Sequence, residues 1–115
     1  MGTIDFFATG PRMRGYSGDT FPMFYVPVTG MTGVDGCDMR LVMENVNVPR
    51  SVALVRECSY YQEDGEEGFC IRLTSEDTAG LCGVYTLHFI LSDGTNEFRK
   101  LLAMLEVLPV PDEEA

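Results

Sequence analysis

Between Cys37 and Asn45 the chain alternates almost without a break. Cys37, Met39, Leu41 and Met43 share one parity, Asp38, Arg40 and Glu44 the other, and only Val42 interrupts the polar set. Successive side chains of a strand point to opposite sides, so a period of two with one apolar face predicts a half-buried β-strand. An amphipathic helix would instead need apolar residues three and four apart. Comparable short runs recur along the chain, broken by Gly, Asp, Asn and Ser. That punctuation predicts antiparallel sheets rather than alternating helices and strands.

The other runs follow the same logic. Thr3 to Ala8 forms a first strand, ended by Thr9-Gly10-Pro11. Asp19 to Val28 forms a second, which Pro22 and Pro27 confine to a sheet edge or a bulge, since neither donates to a ladder. Ser51 to Ser59 is a fourth, weaker run, followed by an acidic loop from Gln62 to Gly68. Phe69, Ile71 and Leu73 then alternate with Cys70, Arg72 and Thr74. Ser75 to Leu81 reads as a short helical turn, capped by Ser75 and ended by Gly80. Tyr85, Leu87, Phe89 and Leu91 alternate next, and Asp93-Gly94 signals a hairpin into a last strand from Glu97 to Val107. Pro109 and Pro111 stop that strand.

About seven strands in a chain of 115 residues is the scale of an immunoglobulin-like β-sandwich. The corner before the sixth strand agrees. Tyr85 follows a turn bearing Asp77 and Gly80, the place where such folds set a tyrosine whose hydroxyl bonds back to the preceding loop. The expected partner is the backbone of Ser75 to Gly80. The core Trp and the inter-sheet disulfide of antibody domains are absent: there is no Trp, and Leu87 stands where the second Cys would be.

This length predicts one domain over residues 1–111, with Asp112 to Ala115 as an acidic solvated tail. With 18 acidic and 8 basic residues the formal charge is -10. Such a field repels phosphates and anionic lipid heads, so neither nucleic acid nor a membrane is the expected partner. No apolar run reaches the roughly 20 residues of a membrane span, and the N-terminus has no secretory pattern. The expectation is a protein made in a cytoplasm.

Chemistry is sparse, and no cofactor is expected. Cys37, Cys58, Cys70 and Cys82 contain no C-x-x-C pair, which argues against zinc and for buried, reduced thiols. His88 is the sole histidine, expected on a strand surface with no nucleophile motif around it. Glu63, Asp64, Glu66 and Glu67 lack the alternating oxygen ligands of a calcium loop and read as a solvated hairpin tip. The glycine-rich Gly30 to Gly36 matches no phosphate-binding fingerprint. The reading is of a non-enzyme. Tyr60 and Tyr61 offer a surface-binding site for sugars or cell surfaces, although neighbouring strand residues face opposite ways. Phe98, Leu102 and Met104 make the last strand apolar on a second face, which predicts an interface and a homo-oligomer.

Several segments resemble the small immunoglobulin-like modules of phage tails, of which the N-terminal domain of baseplate upper proteins is an example. Arg14-Gly15-Tyr16-Ser17-Gly18-Asp19-Thr20 is similar to their "R-G-D-T" opening, and Met31-Thr32-Gly33 to their "L-T-G" loop. Leu73 to Leu81 with Gly83-Val84-Tyr85 resembles their corner, and Asp93-Gly94 followed by Arg99-Lys100-Leu101-Leu102 their final strand pair. Ala103 stands where those modules often carry Gly. The resemblance implies a structural or adaptor protein of a phage or prophage virion, in a tail or baseplate, built in the bacterial cytoplasm and joined to other virion proteins. Host-receptor binding does not carry over. The alternative is a carbohydrate- or cell-surface-binding β-sandwich module.

Overall fold

The structure is a computed structural model that describes residues 5–6, 12–47 and 51–110, with the side chains of residues 5, 6, 12, 101 and 102 outside the description. The tail from Asp112 to Ala115, and all of the first predicted run but Asp5 and Phe6, lie outside the described residues. Among the described residues nine strands form: β1 Asp5–Phe6, β2 Arg12–Tyr16, β3 Phe24–Thr29, β4 Asp38–Asn45, β5 Val52–Glu57, β6 Ser59–Glu63, β7 Glu66–Ile71, β8 Gly83–Ser92 and β9 Glu97–Leu108. A 3-10 turn, Val34–Gly36, precedes β4, and one α-helical turn, α1 Ser75–Thr78, precedes β8.

The strands make two sheets, ordered β1-β3-β7-β6 and β2-β9-β8-β4-β5. The first sheet and the run β9-β8-β4 reproduce the A-B-E-D and G-F-C orders of an immunoglobulin sandwich. Beyond that frame, β5 extends the second sheet beside β4, and β2 closes its other edge by running parallel to β9. The last strand comes from the chain itself, since β9 pairs with β8 from Glu97 to Val107.

Alternation builds the core. Met39, Leu41 and Met43 of β4 and Tyr85, Leu87, Phe89 and Leu91 of β8 are all buried. They face Phe24, Val26 and Val28 of β3 and Phe69 and Ile71 of β7 in one cluster. Between the sheets the Phe24 and Phe89 rings meet at 6.2 Å and 59°. Such a tilted pair adds about 0.5–1.5 kcal/mol beyond its buried area.

The sequence expectation places no strand at β2 or across Gln62 to Gly68, and it begins the second strand at Asp19 rather than Phe24. The run Ser51 to Ser59 holds β5 as expected; Cys58 then leaves the ladder, donates its N–H to the Met39 carbonyl at 2.9 Å, and carries the chain to β6 in the other sheet. The acidic loop is mostly a hairpin: β6 and β7 are joined by Asp64 (φ 51°) and Gly65 (φ 81°), the two positive angles that a tight I′ turn requires. Asp93-Gly94 turns the expected hairpin into β9, in a four-residue loop where the Asp93 carboxylate accepts from the N–H groups of Thr95 (2.9 Å) and Asn96 (2.7 Å). Those bonds hold the Asp93 carboxyl below its ordinary range.

Candidate functional site

The corner before β8 is held by local hydrogen bonds. Thr74, not Ser75, caps α1: its hydroxyl accepts from the Asp77 N–H, while the Asp77 carboxylate accepts from the Thr74 N–H at 2.9 Å. That reciprocal box satisfies two helix-end donors at once. Gly80 does not provide the stop, since the cap is Ala79 in right-handed geometry. Asp77 is buried and also accepts from Arg56 of β5, so one carboxylate joins the corner to the edge of the five-stranded sheet. Thr78 is fully buried; its hydroxyl donates to the Asp19 carbonyl at 2.7 Å and accepts from the Gly18 N–H at 3.0 Å. Two of the phage-module-like segments therefore touch.

The Tyr85 ring is buried and its hydroxyl binds the backbone three residues upstream. It accepts from the Cys82 N–H and donates to the Cys82 carbonyl, both at 3.0 Å. The partner is thus the residue beyond the turn, not the turn from Ser75 to Gly80.

Tyr60 and Tyr61 do not form a platform. Tyr60 pairs with Phe69 on the core-facing side of the sheet, and their rings meet edge-on at 5.9 Å. Tyr61 lies opposite Gly68 and turns outward, where its ring meets that of Tyr25 at 5.3 Å and 81°. Each hydroxyl donates to a glutamate on β7, Tyr60 to Glu67 at 2.8 Å and Tyr61 to Glu66 at 2.6 Å. The carboxylates raise both phenol pKa values, in Tyr61 after the larger effect of burial. Sequence reasoning left Tyr25 unassigned because both faces of its run are apolar. The signal that finds it is register: Tyr25 pairs with Cys70, one pleat from Gly68.

The predicted interface on β9 is not one face. The ladder shifts between Leu87 and His88, with Leu87 opposite Ala103 and His88 opposite Leu101, so β9 carries one extra residue there. Phe98, opposite the buried Leu91, packs against the core, whereas Met104 lies opposite Thr86 on the outer face, in a depression with Met13, Arg14, Val84 and Glu106. The side chain of Leu102 lies outside the described residues.

An exposed edge appears elsewhere. Among the described residues β5 pairs only with β4, and Val52 and Val55 are 52% and 53% exposed. Val46, also exposed, lies near the same end.

His88 is less exposed than expected, its side chain 16% accessible. Nε2 lies 3.1 Å from the Thr86 hydroxyl and 3.8 Å from Glu44, while Nδ1 is buried without a hydrogen bond. A hydroxyl activated by an imidazole needs the orienting carboxylate on the other ring nitrogen, and here both neighbours sit at the same one. Arg99, 3.9 Å from Glu44, completes a surface network rather than a nucleophilic site. All four thiols are free. Only Cys37 is buried; Cys58 and Cys70 are partly so and Cys82 is exposed, because it sits in the loop rather than on a strand. Among the described residues no three His, Cys, Asp or Glu side chains converge as metal ligands would, and no helix is long and apolar enough to cross a membrane.

No protein-family profile and no curated protein matches the chain. Among solved structures it is similar to AggA, the major subunit of aggregative adherence fimbriae type I from Escherichia coli, at 11% identity and a TM-score of 0.46. That superposition covers 94% of this chain and 93% of that one. No role passes from AggA to this chain at that distance.

Proposed function

We propose that this chain is a non-enzymatic structural or adaptor protein of a phage or prophage particle, made in the bacterial cytoplasm and assembled through its sheet edges. The observation that carries the reading is β5. Its outer side presents a row of backbone donors and acceptors beside two half-exposed valines. Natural edges are normally blunted by lysine, proline or very short strands. β5 has six residues and no proline, its charges, Arg56 and Glu57, stand at one end, and its one irregularity is a bulge at Ala53 near the other. An edge of that kind adds a strand from another chain, with main-chain hydrogen bonds supplying affinity. A second copy of the same chain is the first such strand available, which makes the protein a homo-oligomer before it meets other virion proteins.

The phage assignment draws on the tail-module resemblance, two of whose segments meet at Thr78. The sugar-binding alternative needs Tyr60 and Tyr61 side by side, and their rings lie on opposite faces. The test is fractionation after prophage induction in the producing cell. The wild-type chain is expected to sediment with purified particles, and a V52K/V55K chain to remain in the soluble fraction. A wild-type chain found only as free protein while particles form normally overturns the reading.

A further inference from the structure

We propose that the outer face of the four-stranded sheet receives an arginine side chain from a protein partner, between the rings of Tyr25 and Tyr61 and the carboxylates of Glu63, Asp64 and Glu66. These five residues line one depression of ≈ 340 Å³.

The aromatic corner is built by a gap in the strand between its two walls. Tyr25 lies on β3 and Tyr61 on β6, with β7 between them. Gly68 occupies β7 opposite Tyr61, and a Cβ there would overlap the Val26 carbonyl. Glycine thus lets β3 and β7 approach closely, and across it two rings from non-adjacent strands meet at 5.3 Å. In an edge-to-face pair at 81° the ring that supplies its edge keeps both of its own π faces free of its partner. A π face attracts cations, and a guanidinium stacks on it better than an ammonium does.

The acidic rim has a feature that folding alone does not favour. The I′ turn sets Glu63 directly opposite Glu66, and like charges in that position repel. Neither of them, nor Asp64, is in an ion pair among the described residues. Local rules are broken most often where a site needs it. The carboxylates do not converge closely enough to ligate a metal, so the matching cation is a broad one. The Tyr61 hydroxyl, bonded to Glu66 at 2.6 Å, ties one ring to one carboxylate. A planar guanidinium can stack on a ring and fork to such a carboxylate at once.

This surface is separate from β5, so either proposal can fail without the other. The probe is acetyl-Ala-Arg-Arg-Ala-amide, titrated into the isotope-labelled chain and followed by NMR, with acetyl-Ala-Gln-Gln-Ala-amide as control. Saturable shifts are expected at Tyr25, Tyr61 and Asp64 to Glu66 with the arginine peptide alone. Tyr25→Leu, which keeps the bulk but not the π face, is expected to weaken binding about fivefold. Glu63→Lys is expected to abolish binding while leaving the melting temperature of the free chain unchanged or raised, because it relieves the Glu63–Glu66 repulsion. Unchanged affinity in Tyr25→Leu overturns the proposal. So do shifts spread over every acidic segment, or no saturable shift at millimolar peptide.

Discussion

At the residue scale, Tyr85 and Cys58 make separable contributions. The Tyr85 hydroxyl satisfies both backbone groups of Cys82, and each such bond is worth roughly 0.5–1.5 kcal/mol net. Tyr85→Phe is therefore expected to cost about 1–2 kcal/mol, with the melting temperature lowered by roughly 4 °C or more per kcal/mol. Tyr16→Phe is the control: Tyr16 is exposed on β2, and no hydrogen bond of its hydroxyl occurs among the described residues. Equal melting of the two variants contradicts the corner. Cys58 predicts a pH dependence. Burial, with smaller effects from Cys70 and Glu57, pushes its thiol up from an ordinary 9.0 to about 12. The folded chain thus holds that proton more tightly than the unfolded one. The stability it contributes is intact below pH 9 and is lost as pH rises toward 12. Above pH 9 the slope from this group approaches about 1.4 kcal/mol per pH unit. Cys58→Ala is expected to flatten the decline of the melting temperature between pH 9 and 10.5, and an unchanged slope contradicts the assignment.

At the element scale, Gly68 links the fold to the outer face. Gly68→Ala forces β3 and β7 apart, because its methyl meets backbone rather than a side chain that could rotate away. A cost of about 3 kcal/mol or more is expected, at the upper end of single substitutions, read by chemical denaturation. A loss under about 1 kcal/mol contradicts the close approach. The elements that could be read from the chain are those whose partners are near in sequence and whose two faces differ in polarity. β4 and β8 meet both conditions, and their alternation marks every position they contribute to the inter-sheet cluster, while Val42 and Ile90 are buried on the other parity. β2 meets neither, because its partner is the parallel strand β9, about ninety residues away (Arg12 with Met104). β6 was hidden for another reason. Charged residues on a solvated edge strand look like loop residues, and only the I′ turn at Asp64-Gly65 distinguishes them. Pro27 does not mark an edge: β3 lies between β1 and β7, and the residues that follow Phe6 lie outside the described residues. The apolar second face of β9 signalled a bulge, and the period-two reading turned it into an interface instead.

At the scale of the whole molecule, shape and charge pull in opposite directions. The sandwich is closed by its own last strand, so the proposed pairing through β5 would add to an intact fold. The corner tyrosine was legible because Tyr85 follows its turn directly in the chain. The Tyr25–Tyr61 corner was not, because it exists only once three strands are in register. A formal charge of -10 works against pairing of identical chains, and salt screens it over about 8 Å at physiological ionic strength. Self-association driven by β5 should therefore strengthen with salt. The most direct test is light scattering on the purified chain at high concentration in 0.05 M and then about 0.5 M sodium chloride. The expected result is a mass at least twice 12.8 kDa at the higher salt, returning to 12.8 kDa in V52K/V55K with the melting temperature unchanged. A wild-type mass of 12.8 kDa under both conditions contradicts assembly of identical chains through β5.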